Sequence, residues 1–179
     1  MVNGLTIGGN LFWVFFGVCC VCFAMRTVYN YWVFRNQRSF GGKRALTMIY
    51  LNMAVLWAAW FSMNFWDPVR VALPVWLRCI GLLFFVAGVL LFVFGDVAMR
   101  GLASEGKIVT SGIFSKIRHP VYLGFSVWVV GLPVFMQSML TLASAVLWIG
   151  CFLLWKRWEE QDLERKYPAY HEYKKQTWF

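Results

Sequence analysis

The sequence predicts an all-α integral membrane protein with five transmembrane helices, the last two a short helical hairpin, plus a cytoplasmic loop and a C-terminal helix. Three observations predict this fold. The 179-residue chain is 60% hydrophobic and 20% aromatic against 14% charged, too apolar for a soluble domain of its size. Its charges fall in clusters that leave long uncharged stretches. Those stretches match what a hydrocarbon core of about 30 Å asks of a helix, roughly 20 residues.

The first stretch runs to Met25 and supplies a span over about residues 7–25. It has no basic leader and no small-residue cleavage site, so it reads as a retained span rather than a signal peptide. Ala45 to Trp66 supplies the second span, 45–66, and Cys79 to Gly95 the third, which reaches 74–95 if Arg78 snorkels to the interface. The last stretch, Pro120 to Trp155, has 36 residues. As one helix it would be about 54 Å long, too long for a single crossing. Two crossings, 120–136 and 139–155, fit it, with Gly131, Pro133, Gln137 and Ser138 supplying the breakers and polar groups of a reversal. A Pro133 that only kinked the fourth helix would move that turn. The chain reads as one domain, 1–179, with no internal repeat, its polar chemistry collected in segments 100–122 and 156–179.

Of the 17 Lys and Arg residues, 15 lie in Arg26 to Arg44, Asp96 to His119 and the tail from Lys156, leaving Arg70 and Arg78 near the opposite face. The positive-inside rule makes those three segments cytoplasmic, with the N-terminus outside and the C-terminus inside. The net charge of +9 is then an orientation signal and an attraction to anionic lipid. It is not a nucleic-acid footprint, because the basic residues flank spans instead of forming one patch. Small loops suggest a prokaryotic inner membrane. Cys19, Cys20, Cys22, Cys79 and Cys151 fall inside helices without a CxxC pair or a neighbouring His, so they read as packing residues and not as a metal site. Asn52, in mid-span, reads as a helix-packing hydrogen bond.

The hairpin brings residues near 119 and near 157 to one membrane face. In "GKIVTSGIFSKIRHP" a Ser-Gly turn leads to Pro120, whose preset φ suits the first position of a helix. His119 is thereby pushed out of helical geometry to the N-cap. Such a helix start, with Lys116, Arg118 and His119 beside it, attracts an anion such as a carboxylate, or else anchors the helix to lipid phosphates. In the tail, "KRWEEQDLERKYPAYHEYKK", Glu159, Glu160, Asp162 and Glu164 are four of the chain's eight acidic residues, placed just below an anionic leaflet. Asp162 with Lys166 is a favourable i,i+4 pair, and Lys156 can reach Glu160. Either this is a solvated juxtamembrane helix, or Glu159 or Glu160 turns back under the hairpin to bind hydroxyls or an ammonium group. Tyr167, Tyr170 and Tyr173 recur every third residue and read as one helical flank.

At these two segments the sequence resembles the isoprenylcysteine carboxyl methyltransferase and phospholipid methyltransferase family of integral-membrane enzymes. The matching stretches are "IVTSGIFSKIRHPVYLG" and "RWEEQDLERKYPAYHEYKK", about 40 residues flanking the apolar hairpin. The resemblance implies an enzyme that takes S-adenosylmethionine in a pocket closed by loop, hairpin and tail. Carried over, Gly106, Lys107, Ile108, Val109, Phe114, His119, Pro120, Val121 and Tyr122 line the cofactor site, with Glu159 or Glu160 as acidic contact and Arg157 handling the acceptor. The acceptor is lipophilic and enters from the membrane; no metal is implied. Phe114 stands where the family often has Tyr, "KYPAY" replaces an expected "FG", and the chain stops at "KKQTWF" where relatives commonly continue. A membrane sterol reductase using a nicotinamide dinucleotide, and a non-enzymatic membrane adaptor, are the alternatives.

Overall fold

The computed structural model describes residues 2–36, 43–102 and 108–179. Its elements are α1 (Val2–Asn36), α2 (Lys43–Trp66), α3 (Val75–Leu102), α4 (Pro120–Met136), α5 (Met139–Lys166) and a short α6 (Tyr170–Gln176), with a 3-10 turn, Gly112–Ser115, before α4. α1, α2, α3 and α5 are long and apolar enough to cross a membrane. α4 is a shorter apolar helix of 17 residues. The protein is therefore an all-α integral membrane protein, and α4 and α5 form the expected hairpin.

Three helices outrun their expected spans. α1 continues past Met25 to Asn36, α3 past Gly95 to Leu102, and α5 past Trp155 to Lys166. Arg26 does not end α1 because charge alone breaks no backbone hydrogen bond, and residues 26–36 contain neither Gly nor Pro. α5 stops where Pro168 disfavours helical geometry in the residue before it, and Tyr167 turns extended at φ −131° and ψ 101°. At 28 residues α5 is about 42 Å long, so its charged part from Lys156 onward stands clear of a core of about 30 Å.

α3 meets the bundle through α4, along a seam of glycines. Gly81, Gly88 and Gly95 recur every seven residues on α3, and Gly124 and Gly131 do so on α4. A Cβ on Gly131 would stand 2.4 Å from the Phe85 nitrogen, and one on Gly124 2.6 Å from the Gly88 carbonyl oxygen. The two backbones are in contact, as small residues allow where no hydrophobic drive joins helices in lipid. Gly131 is thus a packing residue and takes no part in the reversal. The rest of α3, including Trp76, Leu83 and Phe94, is exposed as a lipid-facing surface is.

α1, α2, α4 and α5 enclose an aromatic core. Phe23 stacks on Trp148 at 4.4 Å, Trp57 meets Trp128 edge-on at 4.5 Å, and Phe125 packs on Phe152 at 5.4 Å. Asn52 donates to the Cys22 carbonyl at 3.2 Å, the expected helix-packing bond. Cys19 and Cys22 are buried there, whereas Cys20 and Cys79 lie on outer faces.

The reversal is Gln137–Ser138. Gln137 takes the left-handed conformation, φ 62° and ψ 32°. Its carbonyl accepts from Val71 N at 3.4 Å and its side-chain oxygen from Leu73 N at 3.1 Å, which fastens the α2–α3 connection to the turn. In that connection Asp67 accepts from Val69 N at 2.9 Å, Thr141 N at 2.8 Å and Thr141 Oγ1 at 2.9 Å. It caps α5 from a different helix pair. Arg70 donates to the carbonyls of Met136 at 2.8 Å and Asn64 at 2.7 Å, serving the ends of α4 and α2. Arg78, expected to snorkel, instead donates to the Phe135 carbonyl at 3.3 Å.

Two stability predictions follow from these contacts. Gly131→Ala lowers thermal stability in detergent by about 1–3 kcal/mol through overpacking, whereas Gly17→Ala, with nothing within 4 Å of the new Cβ, does not lower it. Asp67→Asn keeps the shape but loses a charged acceptor of three bonds. It lowers stability by about 1–3 kcal/mol in the same melting assay.

Candidate active site

The site is built at the end of the bundle where α1, α3 and α5 finish and α4 begins. Pro120 is the first residue of α4 and His119 its N-cap, at φ −126° and ψ 61°. His119 is 5% exposed. Its Nε2 lies 3.4 Å from Glu160 Oε1 and 3.5 Å from the Tyr170 hydroxyl, and its ring sits 5.8 Å from that of Tyr122.

Glu160 is the hub of an ion-pair knot. Arg118 Nε is 3.2 Å from Oε1, and Lys174 Nζ is 3.3 Å from Oε2. Arg118 also donates to the carbonyls of Lys174 and Thr177. Its backbone N–H donates to the Trp178 carbonyl at 3.0 Å, while Trp178 N donates to Lys116 at 2.8 Å. The tail thus wraps beneath the loop. The hydrogen bond from His119, with the positive charges of Lys174 and Lys156, holds the Glu160 carboxyl down at about 2 against the opposing effect of burial.

The tyrosines do not form one helical flank. Tyr167 ends α5, Pro168 breaks the chain's direction, and Tyr170 and Tyr173 belong to α6. Tyr170 is 1% exposed, and the Tyr173 hydroxyl donates to the Phe114 carbonyl at 2.6 Å, pinning the 3-10 turn to the tail.

Beside the knot, between α1, α4 and α5, lies a small open cleft of about 60 Å³. α4 and α5 contribute Tyr122, Trp155, Trp158, Glu159 and Asp162. α1 contributes Asn30, Val33 and Phe34. The Tyr122 hydroxyl lies beside the Glu159 carboxylate. The Arg26 guanidinium has Tyr122, Tyr29, Glu159 and Tyr50 as its electrostatic neighbours and lies 5.9 Å from the Trp155 ring centre. Phe34 stacks on Trp158 at 6.1 Å, and the Arg165 guanidinium lies 4.6 Å from the Phe34 ring centre. Aromatic faces beside a carboxylate suit a cationic ligand group.

Of the residues that sequence analysis selected, Tyr122 and Glu159 meet in this cleft. His119 stands behind Tyr122, and Glu160 belongs to the knot. Phe114 is buried, and Ile108 and Val109 are half-buried. Pro120 and Val121 press against α3, 2.9 Å and 3.0 Å from a Cβ placed on Gly95. Gly106 and Lys107 lie outside the described residues. Arg157 is exposed and is not a cleft residue; on a helix it sits about 200° around α5 from Trp155. Arg26 does not line the cleft but lies behind it, next to Tyr122, Glu159 and Trp155; sequence analysis assigned it only to membrane orientation. The spacing 26, 30, 33, 34 would have placed those residues on one face of α1, had that helix been extended past its first charge.

A family model described as phospholipid methyltransferase matches residues 69–170, more than half of the 179-residue chain. Neither the curated proteins nor the solved structures give a match. The matched segment holds the loop, the hairpin and the carboxylate-bearing end of α5, with Tyr122, His119 and Glu159 all inside it. The chain belongs to the phospholipid methyltransferase family, integral-membrane methyltransferases that act on lipid-type substrates.

Proposed function

We propose that the protein transfers a methyl group from S-adenosylmethionine to a lipophilic acceptor that enters the cleft from the bilayer. The observation that carries this reading is the meeting of Tyr122 and Glu159 in an aromatic cleft, at the same helix end as His119. The donor set suits the cofactor: a carboxylate for an ammonium or ribose hydroxyls, and the faces of Trp155, Trp158 and Tyr122 for a sulfonium. When bound, the cofactor supplies a methyl group whose leaving group, a neutral thioether, needs no proton.

The chain's own task is then positioning and exclusion of water. Glu159, oriented by Tyr122, holds the cationic end. Phe114, His119, Pro120 and Val121, with Ile108 and Val109, form the loop side of the site. Glu160 acts one step away: both its oxygens are engaged by Arg118, His119 and Lys174, so it locks the loop onto the tail instead of touching ligand. No protein nucleophile is required, since the acceptor's carboxylate, amine or thiolate attacks directly. The site faces the cytoplasm, on the side of the basic segments.

Two measurements test this. Calorimetric titration of the detergent-purified protein with S-adenosylhomocysteine gives binding, weakened about 10- to 100-fold in Glu159→Gln by loss of a charged hydrogen-bond acceptor. Absence of binding to the wild type, or unaltered affinity in that variant, refutes the assignment. The second uses pH. Glu160 titrates near 2 in the folded protein, below an unfolded value of about 4.3, so its contribution is complete above that value and lost as pH falls toward 2. Glu160→Gln therefore melts below the wild type at pH 7, and the gap closes between about pH 4 and pH 2. A gap that does not depend on pH would show that the carboxylate's charge is not what holds the tail.

A further inference from the structure

The family match begins at residue 69 and leaves α1 outside it, yet α1 forms one wall of the cleft. That wall has its own polar chemistry. Arg26, Asn30, Val33 and Phe34 follow at i, i+4, i+7 and i+8, one stripe of the helix. Asn30 Oδ1 is buried with no hydrogen-bond partner among the described residues, and its residue lines the cleft. A buried acceptor left in that state costs free energy until a donor arrives. One turn before it is Arg26, whose charge neighbours Glu159 and three tyrosines.

The charges in the cleft can be balanced group by group. Asp162 is paired with Lys166, four residues on. Glu159 lies beside Tyr122 and near Arg26. On the reading proposed above, the donor brings two cationic groups and one carboxylate to Glu159, and with Arg26 and Arg165 nearby the positive charges outnumber the negative ones. Arg165 is exposed and screened by water, so the half-buried Arg26 is where a further anion is called for.

We infer that α1 is the acceptor-selecting wall and that Arg26 is its specificity-determining residue, receiving a lipid-borne oxyanion, a phosphate or a carboxylate. Asn30 presents its amide to a hydroxyl or N–H of the same headgroup, and Phe34 sets the width of the entrance. Arginine suits this role because its planar fork meets carboxylate and phosphate oxygens two at a time. This inference rests on the methyltransferase reading for its order of binding, and on α1's geometry for its residues.

The test is a thermal-shift titration of the detergent-purified full chain with dodecyl phosphate, dodecanoate and dodecanol, each with and without S-adenosylhomocysteine. One or both anionic probes protect the wild type at concentrations at which dodecanol does not, and the tighter of the two names the source of the oxyanion. Arg26→Gln weakens that protection at least about tenfold. Arg26→Lys, which keeps the charge but not the fork, recovers only part of it, and Arg35→Gln, the same loss of charge at an exposed position of α1, leaves it unaltered. Affinity for S-adenosylhomocysteine does not fall in any of the three variants. The inference is overturned if dodecanol protects as well as both anions, or if Arg26→Gln binds them undiminished. Failure of S-adenosylhomocysteine to bind the wild type would instead refute the methyltransferase reading, and the titrations without it still decide the role of Arg26.

Discussion

Everything at the site end depends on a two-residue reversal at the other end of the bundle. A left-handed glutamine is unfavourable by roughly 1–2 kcal/mol, and Gln137 holds that conformation because both its oxygens are bonded to the α2–α3 connection. Asp67 fixes the same connection to the first turn of α5. With the turn so short, α4 and α5 run antiparallel in register, and residues 119–122 must face residues 155–162 across the bundle. A looser turn would let α5 slide or rotate. A rotation of one residue, about 100°, would take Glu159 out of the cleft and Glu160 away from His119.

Two adjacent carboxylates then do different work because a helix separates them in direction. Glu160 points at the loop and the tail, meets Arg118, His119 and Lys174, and remains ionised at any ordinary pH. Glu159 lines the cleft, beside the Tyr122 phenol and near the Arg26 guanidinium. The first is electrostatically saturated and the second is not. The unfavourable crowding of acidic groups near the membrane is offset by the knot, which brings basic groups from two separate segments, the loop before α4 and the tail, to Glu160.

Much of this was legible in the sequence. The uncharged stretches gave the helices, and Pro120 after His119 gave the start of α4, because span length and proline geometry are local constraints. Tyr122 and Glu159 were reached through motif resemblance. What escaped was set by packing between segments far apart. The glycines of α3 recur every seven residues, but only the facing glycines of α4 give that recurrence meaning, and Gly131 alone looks like a helix breaker. Arg26 sits where an apolar run ends, so it carries the same signal as any flanking charge; only the continuation of α1 to Asn36 shows that it lies against the cleft. Arg157 failed for the converse reason, since adjacency in sequence to Glu159 puts it on another face of α5.

The two sides of the site are held by different kinds of contact. The hairpin, the loop and the tail are bound to one another by ion pairs and backbone hydrogen bonds, whose directions tolerate little change. α1 meets α5 largely through ring contacts, Phe23 on Trp148 and Trp155, Phe34 and Tyr31 on Trp158. Stacked rings constrain distance more than identity, so polar residues along that face of α1 can change without disturbing the groups that orient the donor. A buried arginine on such a face is costly unless an anion answers it. On the proposed reading, the groups that orient the donor lie in the segments tied by ion pairs and backbone hydrogen bonds, and acceptor choice falls to the helix held by ring contacts.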